Sequence, residues 1–293
     1  LSRNNSSVEA GSTVVPFEDR TPVSPRERLR LESADGPMTT RVVDLLTPLG
    51  KGQRALIVAP PRTGKTTMLR DMAKAIAASH SDIYLAILLV DERPEEVTEF
   101  RDEVSAEYFA SNLDQPFADH VRMATLAMQR CKRLAENGQD VVLVVDSLTR
   151  LARAFNKTIT GGPIAQGGLR IRALEFPKSI FGAARAFADG GSLTVIATAL
   201  VGTHSQMDEA IFQEFKGTGN LEIVLESVLA DRNIWPAMNP IASRTRNEKL
   251  LYTPDEMQAA QAIRRALAQD EPLEAMQRLT RQIERFASNQ ELV

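Results

Sequence analysis

The sequence predicts an α/β fold with a mostly parallel central sheet and helices on both faces. Three observations predict it. Near-continuous aliphatic runs recur at "ALIVA", "YLAILLV", "VVLVV" and "LTVIATAL", the pattern of strands buried on both faces. Stretches with apolar residues at helical spacing separate them, and such alternation calls for parallel strands joined by crossover helices. A Gly-Lys-Thr stands where the first run gives way to the first of those helices.

In chain order, residues 1–37 are rich in Ser, Asn, Pro and charge. They are expected to form a flexible tail and then a lead-in linker, "PFEDRTPVSPRERLRLE", that lies on a partner surface rather than building a domain. Residues 38–293 are expected to form one domain. Its strands are Ala55–Ala59, Tyr84–Val90, Val141–Val145 and Leu193–Leu200, with Leu221–Glu226 a shorter and less apolar fifth. Lys65 to His80 reads as a helix with Met68, Leu69, Met72, Ala73 and Ile76 on one face. A second, His120 to Glu136, ends at Asn137-Gly138, a good helix stop. Helices close the chain over about 253–288, opened by a capping box with proline at its first turn, Thr253-Pro254-Asp255-Glu256. The stripe Leu273, Met276, Leu279, Ile283 and Phe286 is expected to pack on the sheet domain rather than to bind a partner helix.

Composition narrows the function classes. With 43% hydrophobic and 25% charged residues among 293, the chain can bury a sizeable core. A net charge of −3 is not the basic footprint of a DNA-coating protein, although a few Lys and Arg in a pore can still act on nucleic acid locally. The single cysteine, Cys131, excludes an internal disulfide and reads as a small buried residue. His80, His120 and His204 have no ligand spacing. No apolar run approaches a membrane span and no signal-peptide pattern opens the chain, so a cytoplasmic protein without membrane contact is expected. The first residue is Leu1 rather than Met, which suggests a fragment or a processed form.

"APPRTGKTTM" carries the chemistry. Ala59-x-x-x-x-Gly64-Lys65-Thr66 follows a buried strand and opens an amphipathic helix, the context a phosphate-binding loop requires. Helix N-terminal N–H groups then point at phosphate oxygens. Lys65 reaches the β- and γ-phosphates of ATP, and Thr66 holds Mg²⁺. Ala59 stands where the opening glycine is usual, a harmless change if its φ is negative. Asp146, at the tip of "VVLVVD", reads either as a helix N-cap or as the acidic partner of Mg²⁺ through water, and the phosphate loop favours the second. Glu92 in "LLVDERPEE" reads either as part of a solvated acidic turn or as a carboxylate that deprotonates an attacking water.

Six segments stand in an order and spacing similar to the ATPase domain of the bacterial transcription termination factor Rho family. They are "GKGQRALIVAPPRTGKT", "LLVDERPEEVTE", "DSLTRLARAFN", "FGAAR", "GGSLTVIATAL" and "MDEAIFQEFKGTGN". The resemblance runs from about Pro16 to the C-terminal helices. It implies a RecA-like fold, a homohexameric ring with ATP at subunit boundaries, single-stranded RNA in the central pore and RNA polymerase as a further partner.

Carried over residue by residue, the resemblance implies that Gly50, Lys51, Gly52, Gln53, Arg54 and Ala55 line the nucleotide together with Arg62, Thr63, Gly64, Lys65, Thr66 and Thr67. It implies Glu92 as the catalytic carboxylate, Asp146 as the Mg²⁺ partner, Arg93 as a nucleotide contact and Arg150 as the link from site to pore. Arg246 in "ASRTRNEKLL" matches the family's arginine finger, given to a neighbour's γ-phosphate. Trp235 falls where the family packs an aromatic on adenine, and a core tryptophan is the plain alternative.

Two departures stand beside the match. Rho proteins carry an oligonucleotide-binding domain ahead of the ATPase, a segment not found in the 293 residues. The first pore loop should fall in Asn156–Leu174, where Arg170 and Arg172 are the nearest cations, and the second loop has Gln206 at the family's lysine position. Three readings follow: an RNA translocase or helicase that terminates transcription; a paralogous ATPase acting as an assembly or regulatory module; and, fitting the motifs least, a rotary-type ATPase subunit.

Overall fold

The computed structural model describes residues 15–293, so the expected tail over 1–14 lies outside the described residues. Short strands β1 (Pro22–Val23) and β2 (Arg28–Leu29) lead into helix α1 (Met38–Leu46) and strand β3 (Leu49–Gly50). Next come β4 (Arg54–Ala59), α2 (Lys65–Ser79), β5 (Tyr84–Glu92), α3 (Pro94–Glu103), β6 (Glu107–Asn112), α4 (Phe117–Glu136) and β7 (Asp140–Asp146). They are followed by α5 (Leu148–Thr158), α6 (Glu175–Gly182), β8 (Arg185–Phe187), β9 (Ser192–Leu200), α7 (Gln206–Phe215) and β10 (Leu221–Val224). The chain closes with α8 (Ser227–Ala230), β11 (Arg244–Thr245), α9 (Pro254–Leu267), α10 (Pro272–Ile283) and α11 (Asn289–Leu292).

The main sheet runs β11-β10-β4-β9-β7-β5-β6, and every neighbouring pair from β10 to β6 is parallel. Antiparallel β11 and β8 extend it at its margins. Alternate side chains of one strand feed two separate cores, as the two-residue period of a strand requires. Ala55, Ile57 and Ala59 face the core of α1, α2 and α10, whereas Leu56 and Val58 face that of α4, α5 and α7. The expected strands are all present; four are extended by one or two residues where polar ends such as Asp91-Glu92 and Asp146 continue the ladder, whereas the fifth stops at Val224, two residues short of the expected Glu226.

The lead-in differs from expectation. It lies on this chain's own core. Phe17, Leu29 and Leu31 are buried, and Phe17 meets Phe187 edge to face at 5.1 Å. Arg20 is buried too, donating to the carbonyls of Ala135 (2.5 Å) and Gly190 (2.6 Å) and pairing with Asp189. The apolar residues are spaced irregularly among prolines and charges, so no helix or strand period marked them for burial.

The C-terminal helices follow the sequence closely. Thr253 and Glu256 make both halves of the capping box. Met276, Leu279 and Ile283 are buried against the sheet domain, while Phe286 lies beyond the end of α10 and is half-buried.

Candidate nucleotide site

Parallel strands place their C-terminal ends along one edge, and ligands bind there, where successive crossovers leave for opposite faces. Here that point is between β4 and β9: α2 packs in one core and α7 in the other. The phosphate loop Pro60–Gly64 lies at this edge. Arg62 (φ 61°) and Gly64 (φ 75°) adopt left-handed conformations, and the Thr63 hydroxyl donates to the Pro60 carbonyl at 2.7 Å. Gly64 is required twice over, because a Cβ there would also come within 2.7 Å of Trp235 Cζ3. Ala59 is the last residue of β4 and has no positive φ, so its methyl group is accommodated without strain.

Lys65, the first residue of α2, bonds both carboxylate oxygens of buried Asp146 and reaches Glu92 Oε1 at 4.0 Å. Thr66 Oγ1 donates to Asp146 Oδ2 at 3.3 Å, and Thr198 Oγ1 to Oδ1 at 2.8 Å. Burial alone would raise the Asp146 pKa. The Lys65 ammonium, helped by Thr198 and Arg150, outweighs it and holds the carboxyl below its usual range.

Glu92 behaves in the opposite way. Burial pushes its pKa up to about 7, the nearby Asp146 charge adds to this, and Arg150 and Lys65 only partly offset it. Its residue exposure is 1%, and neither carboxylate oxygen accepts a hydrogen bond among the described residues. Arg150 Nη1 comes within 3.2 Å of Oε2, at an angle too bent for a hydrogen bond, and instead donates to the Asp91 carbonyl. A buried carboxylate with free oxygens and a pKa near neutrality is equipped to accept a proton.

The donor set also fits Mg²⁺. The Thr66 hydroxyl, Asp146 and the unpartnered Glu92 oxygens are hard oxygen ligands. No group of three or more metal-ligating side chains converges among the described residues. This suits an ion that takes one or two protein ligands and completes its shell with phosphate and water.

Trp235 is not a core residue. It is 48% exposed and, with Thr63, Gly64, Thr67 and Pro236, borders a cavity of about 240 Å³ beside the phosphate loop. An exposed indole face there offers a flat stacking surface. Arg93, directly after Glu92, is exposed and 3.9 Å from Glu96. A larger concavity, about 780 Å³, lies between the lead-in and the C-terminal helices and includes the ion-paired Arg28, Asp44 and Glu256. None of the phosphate-loop residues borders it.

One group of expected nucleotide contacts lies away from this chain's own phosphate loop. Gly50, Lys51, Gly52, Gln53, Arg54 and Ala55 lie at or before the N-terminal end of β4, the opposite edge of the sheet from Lys65. Each has a structural partner there. Gly50 pairs with Arg28 in the β2–β3 ladder, Lys51 bonds Asp140 at 2.6 Å, and a Cβ on Gly52 would strike the Ala186 backbone at 2.2 Å. Gln53 Oε1 accepts from Gly50 N–H, Arg54 donates to the Thr218 and Ala184 carbonyls, and Ala55 is buried in the sheet. They shape the far edge and do not touch this chain's own phosphate loop. Arg246 lies at that same far edge, donating to the Gly217 carbonyl, with its amide bonded to Asn220.

The two candidate pore loops, by contrast, are brought together. Gly167 packs so closely on the start of α7 that a Cβ would lie 2.4 Å from Met207 N. Asn156 holds the first loop by accepting from Arg170 N–H at 2.7 Å and donating to the Gly168 carbonyl. Arg172 and Gln206 are exposed, and Arg170 Nη1 donates to the Gly161 carbonyl at 3.2 Å. Helix α5 reaches both regions: Arg150 touches Glu92, and Arg153 pairs with Asp208 of α7. The sequence reading missed Thr198, whose signal was a hydroxyl inside an aliphatic run, and Thr149, whose Oγ1 accepts from Leu200 N–H at 2.9 Å.

The nucleotide-binding domain of the ATP synthase alpha/beta family matches residues 39–245. An ATPase from the type III secretion system of pathogenic bacteria superposes with a TM-score of 0.71 at 26% identity, over 84% of this chain and 70% of its own. An ATP synthase subunit of Nanoarcheaum equitans shares the fold, with a TM-score of 0.72 at 19% identity, over 84% of this chain and 62% of its own. Transcription termination factor Rho of Streptosporangium roseum is 52% identical over 93% of this chain and 71% of its own length. Rho of Akkermansia muciniphila is 50% identical over 94% and 59%, and that of Aquifex aeolicus 49% over 94% and 64%. The chain thus spans between about four and seven tenths of the lengths of such relatives. No described helix is long and apolar enough to cross a membrane. With a RecA-like sheet, a phosphate loop and a buried acidic pair at its C-terminal edge, this chain is a phosphate-loop ATPase and belongs to the transcription termination factor Rho family.

Proposed function

We propose that the chain is the motor of an RNA translocase of the Rho type, hydrolysing ATP at the boundaries between like subunits of a ring. The observation that carries this reading is the division of the site between two edges. Lys65, Glu92 and Asp146 converge at the C-terminal edge, while Arg246 stands at the N-terminal edge. The five residue steps of β4 alone separate these edges by about 17 Å. Arg246 therefore serves a neighbour's site and not its own.

Lys65 moves from Asp146 to the nucleotide phosphates, and Thr66 and Asp146 would hold Mg²⁺, which would neutralise phosphate charge when bound. Glu92 accepts the proton of the attacking water. Trp235 stacks on adenine and Arg93 contacts the phosphates. Arg150 and Arg153 on α5 link the state of the site to the loops carrying Arg170, Arg172 and Gln206, which contact single-stranded RNA. The chain works in the cytoplasm and engages RNA polymerase through the RNA it pulls.

Subunit mixing tests the reading. Lys65→Ala and Arg246→Ala chains, each inactive alone, should regain ATPase activity when mixed, because some boundaries then pair an intact Lys65 with an intact Arg246. No recovery in rings shown to be mixed refutes action in trans. A second reading, an assembly or regulatory ATPase with little RNA movement, is favoured by the neutral, exposed Gln206 at a position where the family carries lysine.

A further inference from the structure

Asp91 is the residue the β5–β6 ladder leaves unpaired. Val90 faces Ser111 and Glu92 faces Asn112, so one extra residue bulges between them. Its φ is 57°, in the left-handed region that aspartate enters more readily than most side chains. The bulge presents the Asp91 carbonyl to Arg150 and sets the next side chain, Glu92, beside Lys65 and Arg150. The Glu92 carbonyl in turn accepts from Leu113 N–H at 3.1 Å, just past the end of β6. The aim of Glu92 thus depends on the shape of a single irregular residue.

Behind this bulge lies His120, on the first turns of α4 and only 1% exposed. Its Nδ1 is 2.8 Å from the hydroxyl of equally buried Ser111, and its Nε2 is 3.9 Å from Asp91 Oδ1. Phe117 flanks the ring edge to face at 5.9 Å. The phosphate chemistry described above has no use for a histidine, yet this one points its two nitrogens at the two sides of the bulge.

We propose that Ser111, His120 and Asp91 form a positioning relay that holds the β5 bulge, and through it the catalytic Glu92, in working geometry. The Ser111 hydroxyl donates to Nδ1, which places the imidazole hydrogen on Nε2, facing the Asp91 carboxylate. The Asp91 side chain is 28% exposed, and the relay requires it to turn inward to close the remaining gap. His120 is a positioning residue and touches no substrate. The inference rests on the reading of Glu92 as the group that activates water, and extends it to what aims that group.

Two near-isosteric substitutions in the full chain separate the relay from mere filling of space. In His120→Gln the amide reaches the Nε2 position and can still donate to Asp91; in His120→Asn it reaches only the Nδ1 position. The Gln variant should keep kcat within about threefold of wild type, and the Asn variant should lose roughly tenfold, with KM for ATP little changed in both, since misplacing a reacting group lowers kcat more than binding. Hydrogen exchange gives a readout independent of turnover: the Leu113 amide, tied to Glu92, should exchange faster in the Asn variant than in the Gln variant. Equal kcat and equal exchange in the two overturns the relay. Should either fail to fold, Asp91→Asn against Asp91→Ala makes the same comparison from the other side, since Asn keeps both an acceptor and a preference for left-handed backbone. A Glu92→Gln chain that still turns over would undo the reading of Glu92 while leaving the exchange comparison to judge the relay.

Discussion

Replacing Glu92 by Gln should make the nucleotide-free protein more stable while removing its activity, and the stability gain should depend on pH in a definite direction. In the folded chain burial raises this carboxyl from 4.5 to about 7, with the Asp146 charge reinforcing the effect. The two carboxyls titrate as a pair whose proton resides on Glu92. A group whose folded pKa is raised binds a proton more tightly when folded than unfolded, so stability falls as pH climbs between the two values. Below about pH 4.5 the ionisation penalty is absent; above about pH 7 it is complete. At about 1.4 kcal/mol per pKa unit, a rise of that size corresponds to roughly 3 kcal/mol of destabilisation at pH 8.

Glutamine is isosteric and has no charge to desolvate, so Glu92→Gln should recover most of that free energy at pH 8 and little of it at pH 5. For a chain of this size, roughly 2 °C of midpoint per kcal/mol gives a gain of about 6 °C at pH 8. Thermal unfolding of wild type and Glu92→Gln at the two pH values measures the difference, and kcat for ATP at pH 8 should fall by about 10²-fold or more, as expected for loss of a general base. A gain at pH 8 no larger than at pH 5 would show that Glu92 ionises as an ordinary surface carboxylate, and the assignment built on its burial would fail with it.

Other predictions follow from the same geometry. With Glu92 near 7 in the nucleotide-free chain, kcat/KM for ATP should rise about tenfold between pH 6 and 8 as the base form accumulates. Arg150→Ala, which removes a cation that lowers this pKa, should move the midpoint upward; an unmoved midpoint assigns the titration to another group. Trp235→Ala should raise the Kd for ATP by roughly tenfold with kcat per bound ATP retained, whereas Trp235→Phe should recover most of the loss, as for other aromatic–base stacks. Equal affinity in wild type and Trp235→Ala would remove the indole from the site. Gln206→Lys should steepen the salt dependence of poly(C) binding by roughly one counterion and raise RNA stimulation of the ATPase. An unchanged salt slope would place α7 away from the RNA path.

What the sequence made legible, and what it did not, divides along the range of the interactions. The strands over Ala55–Ala59 and Val141–Val145, the phosphate loop and the Thr253 capping box are written in neighbouring residues, because backbone period and helix-end chemistry act within a few positions. The closeness of Lys65, Glu92 and Asp146 was inferable from one further rule, that parallel strands deliver their C-terminal ends to a common edge. The same rule would have placed Gly50–Ala55 at the opposite edge, since they precede or begin β4 where Gly64–Thr67 follow it. Their adjacency in sequence to the phosphate loop concealed a separation of a full strand length.

The properties that turn the acidic pair into a reactive site lay beyond local reading for a different reason. Asp146 and Glu92 are both carboxylates at strand tips, and nothing in their neighbours distinguishes them. The distinction comes from which one Lys65 and Thr198 reach. These donors lie on α2 and β9, 81 and 52 residues away from Asp146 in the chain. With Lys65 and Thr198 bonded to Asp146, Glu92 is left buried, without hydrogen bonds and beside the Asp146 charge. Its raised pKa is therefore chiefly a consequence of its own burial, with the Asp146 charge adding to it and Arg150 and Lys65 only partly offsetting it.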